Sequence, residues 1–231
     1  MRKRLNDMQK IIFILLAILT LKTYSQSNDT TYSGKFDLGF SFSPDYSYRV
    51  LTSGTENNWM KDSYDTLEVA RYAYTTGFSF AYHPDEKFSI SVGVLFSDKG
   101  EKTKRYTIPP VNNYINHYYY LDLPVKASYY VYSGKIKLYV SVGICTNIYL
   151  RGLTHIEVPA SAETKKVEMA PGMNAISASF IGGLGIDCPL SNRWYFKLEP
   201  NYRRFITPAT NSGVKRYFYS GGLNAGFFFQ L

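Results

Sequence analysis

The chain has 231 residues, enough for one domain with a sizeable core, and 17% of them are aromatic, including 22 Tyr and 15 Phe. The formal net charge is +8, but five Lys/Arg and one Asp fall within residues 1–25, so the rest carries +4, with no basic run that would suit nucleic acid. A mean hydropathy of −0.21 and a single long apolar run, 11–21 (IIFILLAILTL), exclude a helical membrane protein, because a spanning helix takes about 20 residues.

Residues 1–25 read as a secretory signal peptide. Lys10 precedes the apolar run, and Thr23-Tyr24-Ser25 supplies small residues at the cleavage positions, which leaves Gln26 first. Met8 is an alternative start, and no cysteine stands near the cleavage point to take a lipid. A short segment, 26–33, leads into a domain spanning 34–231.

The first expected strand is 34–43, with Phe36, Leu38, Phe40 and Phe42 on one face and Asp37, Gly39, Ser41 and Ser43 on the other. A polar stretch, 44–69, follows. Strand two, 70–82, carries Tyr72, Tyr74, Phe78, Phe80 and Tyr82, and residues 83–87 turn the chain into strand three, 88–97 (FSISVGVLFS). A charged connection, 98–116, leads to strand four, 117–131, where Tyr119, Leu121, Leu123, Val125 and Tyr129 alternate with Asp122, Lys126, Ser128 and Tyr130. Residues 132–135 turn. Strand five, 136–150, is followed by the loop 151–174. Strand six is 175–188, and 189–193 (PLSNR) turns into strand seven, 194–203, which sets Trp194, Phe196, Leu198, Pro200 and Tyr202 against Tyr195, Lys197, Glu199, Asn201 and Arg203. After 204–216 the last strand, 217–231, alternates Tyr217, Tyr219, Leu223, Phe227 and Phe229 with smaller or polar residues. Each is the period-2 pattern of a strand with one apolar and one wet face.

Eight strands result, with long connections after the odd-numbered ones and short turns after the even-numbered. That alternation predicts an all-β, eight-stranded, antiparallel up-and-down barrel with its long loops gathered at one end, the arrangement of outer-membrane barrels. A soluble lipocalin-type barrel would present the same alternation turned inside out. The aromatics decide between them. Phe36, Tyr82, Phe88, Tyr129, Trp194, Phe227 and Phe229 fall at the turn ends, and Phe42, Tyr72, Phe96, Tyr119, Tyr202 and Tyr217 at the loop ends, with aliphatics between. Two aromatic belts around an aliphatic band mark a surface facing lipid in the outer membrane. Pro124 and Pro200 sit inside strands and cannot donate to a ladder, so bulges or kinks are expected there.

Cys145 and Cys188 are placed too far apart along their strands for the ~7 Å Cα limit of a disulfide. His83, His117 and His155 show no ligand spacing, and no metal or other cofactor is expected.

The stretches 118–130 (YYYLDLPVKASYY) and 195–205 (YFKLEPNYRRF), with the ending GGLNAGFFF before Gln230, resemble the PorT-like outer-membrane β-barrel family, relatives in architecture of the small OmpA/OmpX-type barrels. The resemblance runs from about Gly34 to Leu231. It implies an integral outer-membrane protein with, for some members, a link to protein secretion, and it supplies no catalytic residues. The final strand also resembles the insertion signal read by the outer-membrane assembly machinery, with Leu231 where Phe is usual and Phe229 and Phe227 at the preceding outward positions.

Eight strands leave a lumen only wide enough for side chains. Asp122, Lys126, Lys197, Glu199 and Arg203 on the wet faces are expected to form a structural polar network there. The expected role is therefore non-enzymatic: a structural or assembly/secretion accessory acting through long outer loops, with a protein partner at loop residues such as Tyr46, Tyr48, Trp59 and Tyr64. Two alternatives are a narrow passive pore and a lipid-modifying enzyme using His155 and Ser161. The mature chain is expected to begin at Gln26 by terminal mass spectrometry, to fractionate with the outer membrane, and to run fast on gels unless boiled. Recovery from the soluble periplasm would end the barrel reading.

Overall fold

A computed structural model describes residues 36–104, 113–158, 163–168 and 172–231. The expected signal peptide, the segment 26–33, residues 34–35, Pro109-Pro110 and Ser161 lie outside the described residues.

Among the described residues ten strands and one α-helix follow in order: β1 (Phe36–Ser53), α1 (Asn58–Leu67), β2 (Glu68–Tyr82), β3 (Phe88–Lys99), β4 (Glu101–Thr103), β5 (Asn113–Ser133), β6 (Lys137–Val158), β7 (Glu163–Glu168), β8 (Ile176–Pro189), β9 (Trp194–Phe205) and β10 (Val214–Gln230). Eight of them close a ring, β1–β2–β3–β5–β6–β8–β9–β10 and back to β1, with every pairing antiparallel. The closing ladder runs from Asp37↔Gln230 to Ser53↔Val214, so neither first nor last strand is left as an edge. β7 extends the hairpin that β6 begins beyond the ring. At the turn end, the Leu231 amide donates to Phe36 O at 2.8 Å, which puts both ends of the barrel beside the short turns.

The alternation works as a membrane surface requires. Phe36, Leu38, Phe40 and Phe42 are exposed on the outer wall, while Asp37, Ser41, Ser43 and Asp45 are buried in the lumen. On β3, Ile90, Val92 and Val94 are exposed, and Ser89 and Ser97 are buried. In a soluble protein this burial would be inverted; here the apolar side chains face lipid and the polar ones face inward.

Several strands run further than their sequence suggests. β1 continues ten residues past Ser43 into the segment read as a polar loop, and α1 takes up most of the remainder. β6 runs to Val158 instead of Leu150, and β5 begins at Asn113 instead of His117. The reason is that Asp45, Ser47 and Arg49 are inward residues of a strand whose alternate positions, Pro44, Tyr46 and Val50, are exposed. Polar composition signals a loop only where both faces see water.

The bulges expected at Pro124 and Pro200 do not occur. The β3–β5 register is the same on either side of Pro124 (Val92↔Val125, Leu95↔Asp122), with the ladder lapsing between those pairs. The β8–β9 ladder lapses in the same way beside Pro200 and resumes in register. Each proline omits its hydrogen bond on one side only, since Pro124 still faces Cys145 and Pro200 still faces Leu223 across the other ladder. Register shifts occur instead in β5, at Tyr119/Tyr120 and Tyr130/Tyr132, and where Gly100 separates β3 from β4.

Gly100 has φ +145, and a Cβ there would lie 2.1 Å from the Asn116 carbonyl oxygen. Only glycine fits both demands. Gly100→Ala is expected to lower unfolding stability in detergent by about 2–3 kcal/mol. At Gly54 a Cβ meets nothing within 4 Å, so Gly54→Ala should change stability by less than about 0.5 kcal/mol. Equal effects of the two substitutions in a denaturant titration would refute this account.

Candidate functional site

The inward face is a stack of charged and aromatic layers that runs the length of the barrel. At the turn end, Asp37 accepts a hydrogen bond from the Tyr195 hydroxyl at 2.7 Å and lies 2.5 Å from His83 Nε2. Opposite, Tyr130 donates to Asp187 at 2.9 Å, and Lys197 Nζ is 3.7 Å from the same carboxylate. The Lys197 ammonium sits over the rings of Tyr139 and Phe228 at 4.8 and 4.9 Å, where each ring's negative face offsets lost hydration.

Deeper in, Lys126 Nζ donates to both Glu199 oxygens, at 2.8 and 3.2 Å, and Tyr139 donates to Glu199 at 2.8 Å. Lys126 is on β5 and Glu199 on β9, which are not neighbours in the ring, so this pair spans the lumen. Above it are two more acids. Asp45 accepts from Ser43 and Thr75, each at 2.6 Å, and from Arg203 at 3.5 Å. Asp122 accepts from Lys99 at 2.6 Å, Asn147 at 2.6 Å and Ser97 at 2.8 Å.

An apolar layer closes the top. Tyr118, Tyr120, Phe205, Ala209 and Phe218 form a buried cluster, with Phe205 edge-on to Phe218 at 5.6 Å and Tyr118 4.9 Å from Phe218. Lys99 lies beneath it, 5.0 Å from the Tyr120 ring centre. Alternation gives no sign of this cluster: Phe205 and Ala209 fall in the stretch 204–216 that reads as a loop, and parity places Tyr118, Tyr120 and Phe218 inward without saying that they meet.

Beyond the aromatic layer a second ionic tier rims the mouth. Arg49 bonds Glu68 through two nitrogens and Asp65 of α1 at 2.9 Å. Tyr114 donates to the other Glu68 oxygen at 2.6 Å. Glu101 accepts from Arg216 at 2.9 Å and from Asn116 at 3.0 Å. Burial pushes the Glu101 carboxyl up from its ordinary range, against the opposing pull of Arg216. Above this tier opens a cavity of about 760 Å³, lined by α1, the ends of β2, β5, β6 and β10, and residues 172–173 and 210–213.

The five lumen charges read from sequence are therefore all inward but do not form one cluster. Only Lys126 and Glu199 meet directly. Asp122, Lys197 and Arg203 take Lys99, Asp187 and Asp45 as partners. Lys99 and Asp45 lie in stretches whose polar composition reads as loop, and Asp187 carries no sequence signal beyond its parity.

On the outer wall, Phe36, Tyr82, Phe88, Tyr129, Trp194 and Phe227 are exposed towards the turn end, with Phe229 half-buried 5.0 Å from Trp194. Phe42, Tyr72 and Tyr202 are exposed towards the loop end, where half-buried Phe96 stacks on Tyr119 at 5.6 Å and Tyr217 is also half-buried. The loop aromatics do not share a patch: Tyr46 packs against Tyr72, Tyr48 against Tyr219, Tyr64 lines the cavity, and Trp59 stands exposed on α1.

His117 and His155, far apart in sequence, are brought to a ring separation of 5.0 Å by the β5–β6 pairing, and His117 lies 2.9 Å from Asp98. Among the described residues no cluster of His, Cys, Asp or Glu has the makings of a metal site. The two cysteines form no disulfide.

A family model described as "Outer membrane protein beta-barrel domain" matches residues 19–202. A comparison with curated protein sequences yields no match. Among solved structures the chain is similar to the outer membrane protein OprG from Pseudomonas aeruginosa (11% identity, 88% of this chain and 99% of that one, TM-score 0.48) and to Neisserial surface protein A (12%, 85% and 97%, 0.46). It is also similar to the outer membrane protease OmpT from Escherichia coli (10%, 91% and 100%, 0.46).

Removing one member of a buried ion pair leaves an uncompensated charge, at about 3–5 kcal/mol. Glu199→Ala is expected to lower thermal stability in detergent, and adding Lys126→Met should restore part of the loss. Asp122→Ala should cost more than Glu199→Ala, since it strips acceptors from Lys99, Ser97 and Asn147 together. The reverse order in calorimetry would mean that Asp122 is hydrated.

Proposed function

This chain belongs to the outer membrane protein β-barrel domain family, and we propose that within it the chain is a plugged, non-enzymatic barrel that works through its outer loops. It resides in the outer membrane, with lipid against its exposed apolar wall. The observation that carries the reading is the filled lumen. Ionic layers centred on Asp187, Glu199, Asp45 and Asp122 lie under an aromatic layer of Tyr118, Tyr120, Phe205 and Phe218. A solute crossing the barrel would have to break cross-lumen pairs and displace packed rings, both costly where no water replaces them. That favours a structural or assembly role over a passive pore.

A secretion-accessory role is the finer form of this proposal. It rests on the resemblance of 118–130 and 195–205 to PorT-like barrels, and it directs attention to the mouth, where Trp59 on α1 is exposed for a partner protein. Delivery to the membrane is assigned to the assembly machinery through β10, whose outward Phe227 is exposed, as is Leu231 just after the strand. The charges in the lumen are read as structural, and the exposed aromatics as two belts at the lipid interfaces.

Purified barrel in planar bilayers should show little conductance; a large, steady conductance from the unaltered protein would replace this reading with the pore. Deletion should change the secreted or surface proteome if the role is in export. A change confined to envelope integrity would leave the structural role standing and remove the secretion accessory.

A further inference from the structure

We propose that the cavity at the outer mouth binds a neutral, polyhydroxylated ring ligand: a monosaccharide or short oligosaccharide. The proposal rests on the reading that these loops face outward. The cavity's size, about 760 Å³, falls within the roughly 300–1,000 Å³ of small-ligand sites. Its chemistry selects the class. Tyr64 and Tyr114 supply aromatic surface, and Met60 and Met173 add apolar surface, matching the C–H faces of a sugar ring.

The polar groups beside them are planar and paired. Asn116 accepts from Thr154 at 2.9 Å and donates to Glu101, and the Arg216 guanidinium bonds Glu101 through one nitrogen while lying over the Tyr64 ring at 5.3 Å. Such amide and guanidinium forks span two adjacent hydroxyls, which both donate and accept.

Charge argues against the alternatives. Arg49 and Arg216 are already matched by Glu68, Asp65 and Glu101. Of these only Arg216 and Glu68 line the cavity, so an anionic ligand would find Arg216 already bonded to Glu101, and an amine would find Glu68 already bonded to Arg49. An apolar ligand would offer no acceptor to the N–H groups that Asn116 and Arg216 keep beyond their bonds to Glu101, at the cost of their hydration.

Full-length mature barrel in zwitterionic, sugar-free micelles provides the test, because glycoside detergents would compete. Saturation-transfer NMR is run with glucose, N-acetylglucosamine, lactose and maltotriose, alongside a sulfated disaccharide and a phenylalanine-containing tripeptide. At least one neutral sugar should receive saturation, and the sulfated probe should not. Gly172 lines the cavity with open space where its Cβ would be, so Gly172→Trp should fill the site and abolish the signal. Tyr64→Ala, on the surface helix, should weaken binding roughly three- to tenfold. Heat-shifted gel mobility establishes that both variants fold.

Binding of the sulfated sugar or the tripeptide without any neutral sugar would overturn the proposal, as would sugar binding unchanged in both variants. Protease added to intact cells separates the two readings. Cleavage within 54–57 or 210–213 without sugar binding defeats the saccharide site alone; protection there with cleavage at 83–87 defeats the outward orientation as well.

Discussion

Pairing of β1 with β10 is the interaction on which everything else in this protein depends. In lipid no water is available to an unpaired amide or carbonyl, so a sheet survives there only when its first and last strands satisfy each other. Once that ladder closes from Asp37↔Gln230 to Ser53↔Val214, every second side chain is committed to one of two environments. Exposed Leu38, Val92, Val140 and Leu223 meet acyl chains, and Asp37, Asp45, Asp122 and Glu199 are enclosed together in a narrow lumen.

Enclosure sets the second constraint, because a carboxylate in so small a space must be neutralised and hydrogen-bonded. Each of the acids just named shows a solution assembled from different strands. Glu199 of β9 takes Lys126 of β5 and Tyr139 of β6, and Asp122 of β5 takes Lys99 of β3 and Asn147 of β6. These contacts cross-link the ring from within. The aromatic layer above them separates this ionic interior from the ionic tier at the mouth. The cavity therefore sits above this aromatic layer.

Local irregularities are accommodated within the same frame. At Pro124 and Pro200 the ladder lapses on one side and resumes in register, since slippage by one residue would turn every following side chain to the wrong face. The register changes are placed where facing demands differ, at the turn end of β5 and towards the loop end, where Gly100 passes tightly against Asn116.

The sequence by itself determined the architecture. Strict alternation in stretches such as 36–43, 88–97 and 194–203, with connections long and short by turns, admits few solutions besides an eight-stranded meander. Aromatics at both strand ends settle which face meets lipid. Alternation also placed Lys126 and Glu199 on the inward side, because parity is a local property of the backbone. What parity does not carry is height and rotation around the barrel, and these depend on the stagger between strands. Only the tertiary structure therefore decided that Lys126 meets Glu199, that Asp122 turns to Lys99, and that Arg203 finds Asp45 beyond the expected end of β1. The mouth was least legible. Its cavity is assembled from α1, four strand ends and residues 172–173 and 210–213, and polar strand ends that enclose one another look, in sequence, the same as loops in water.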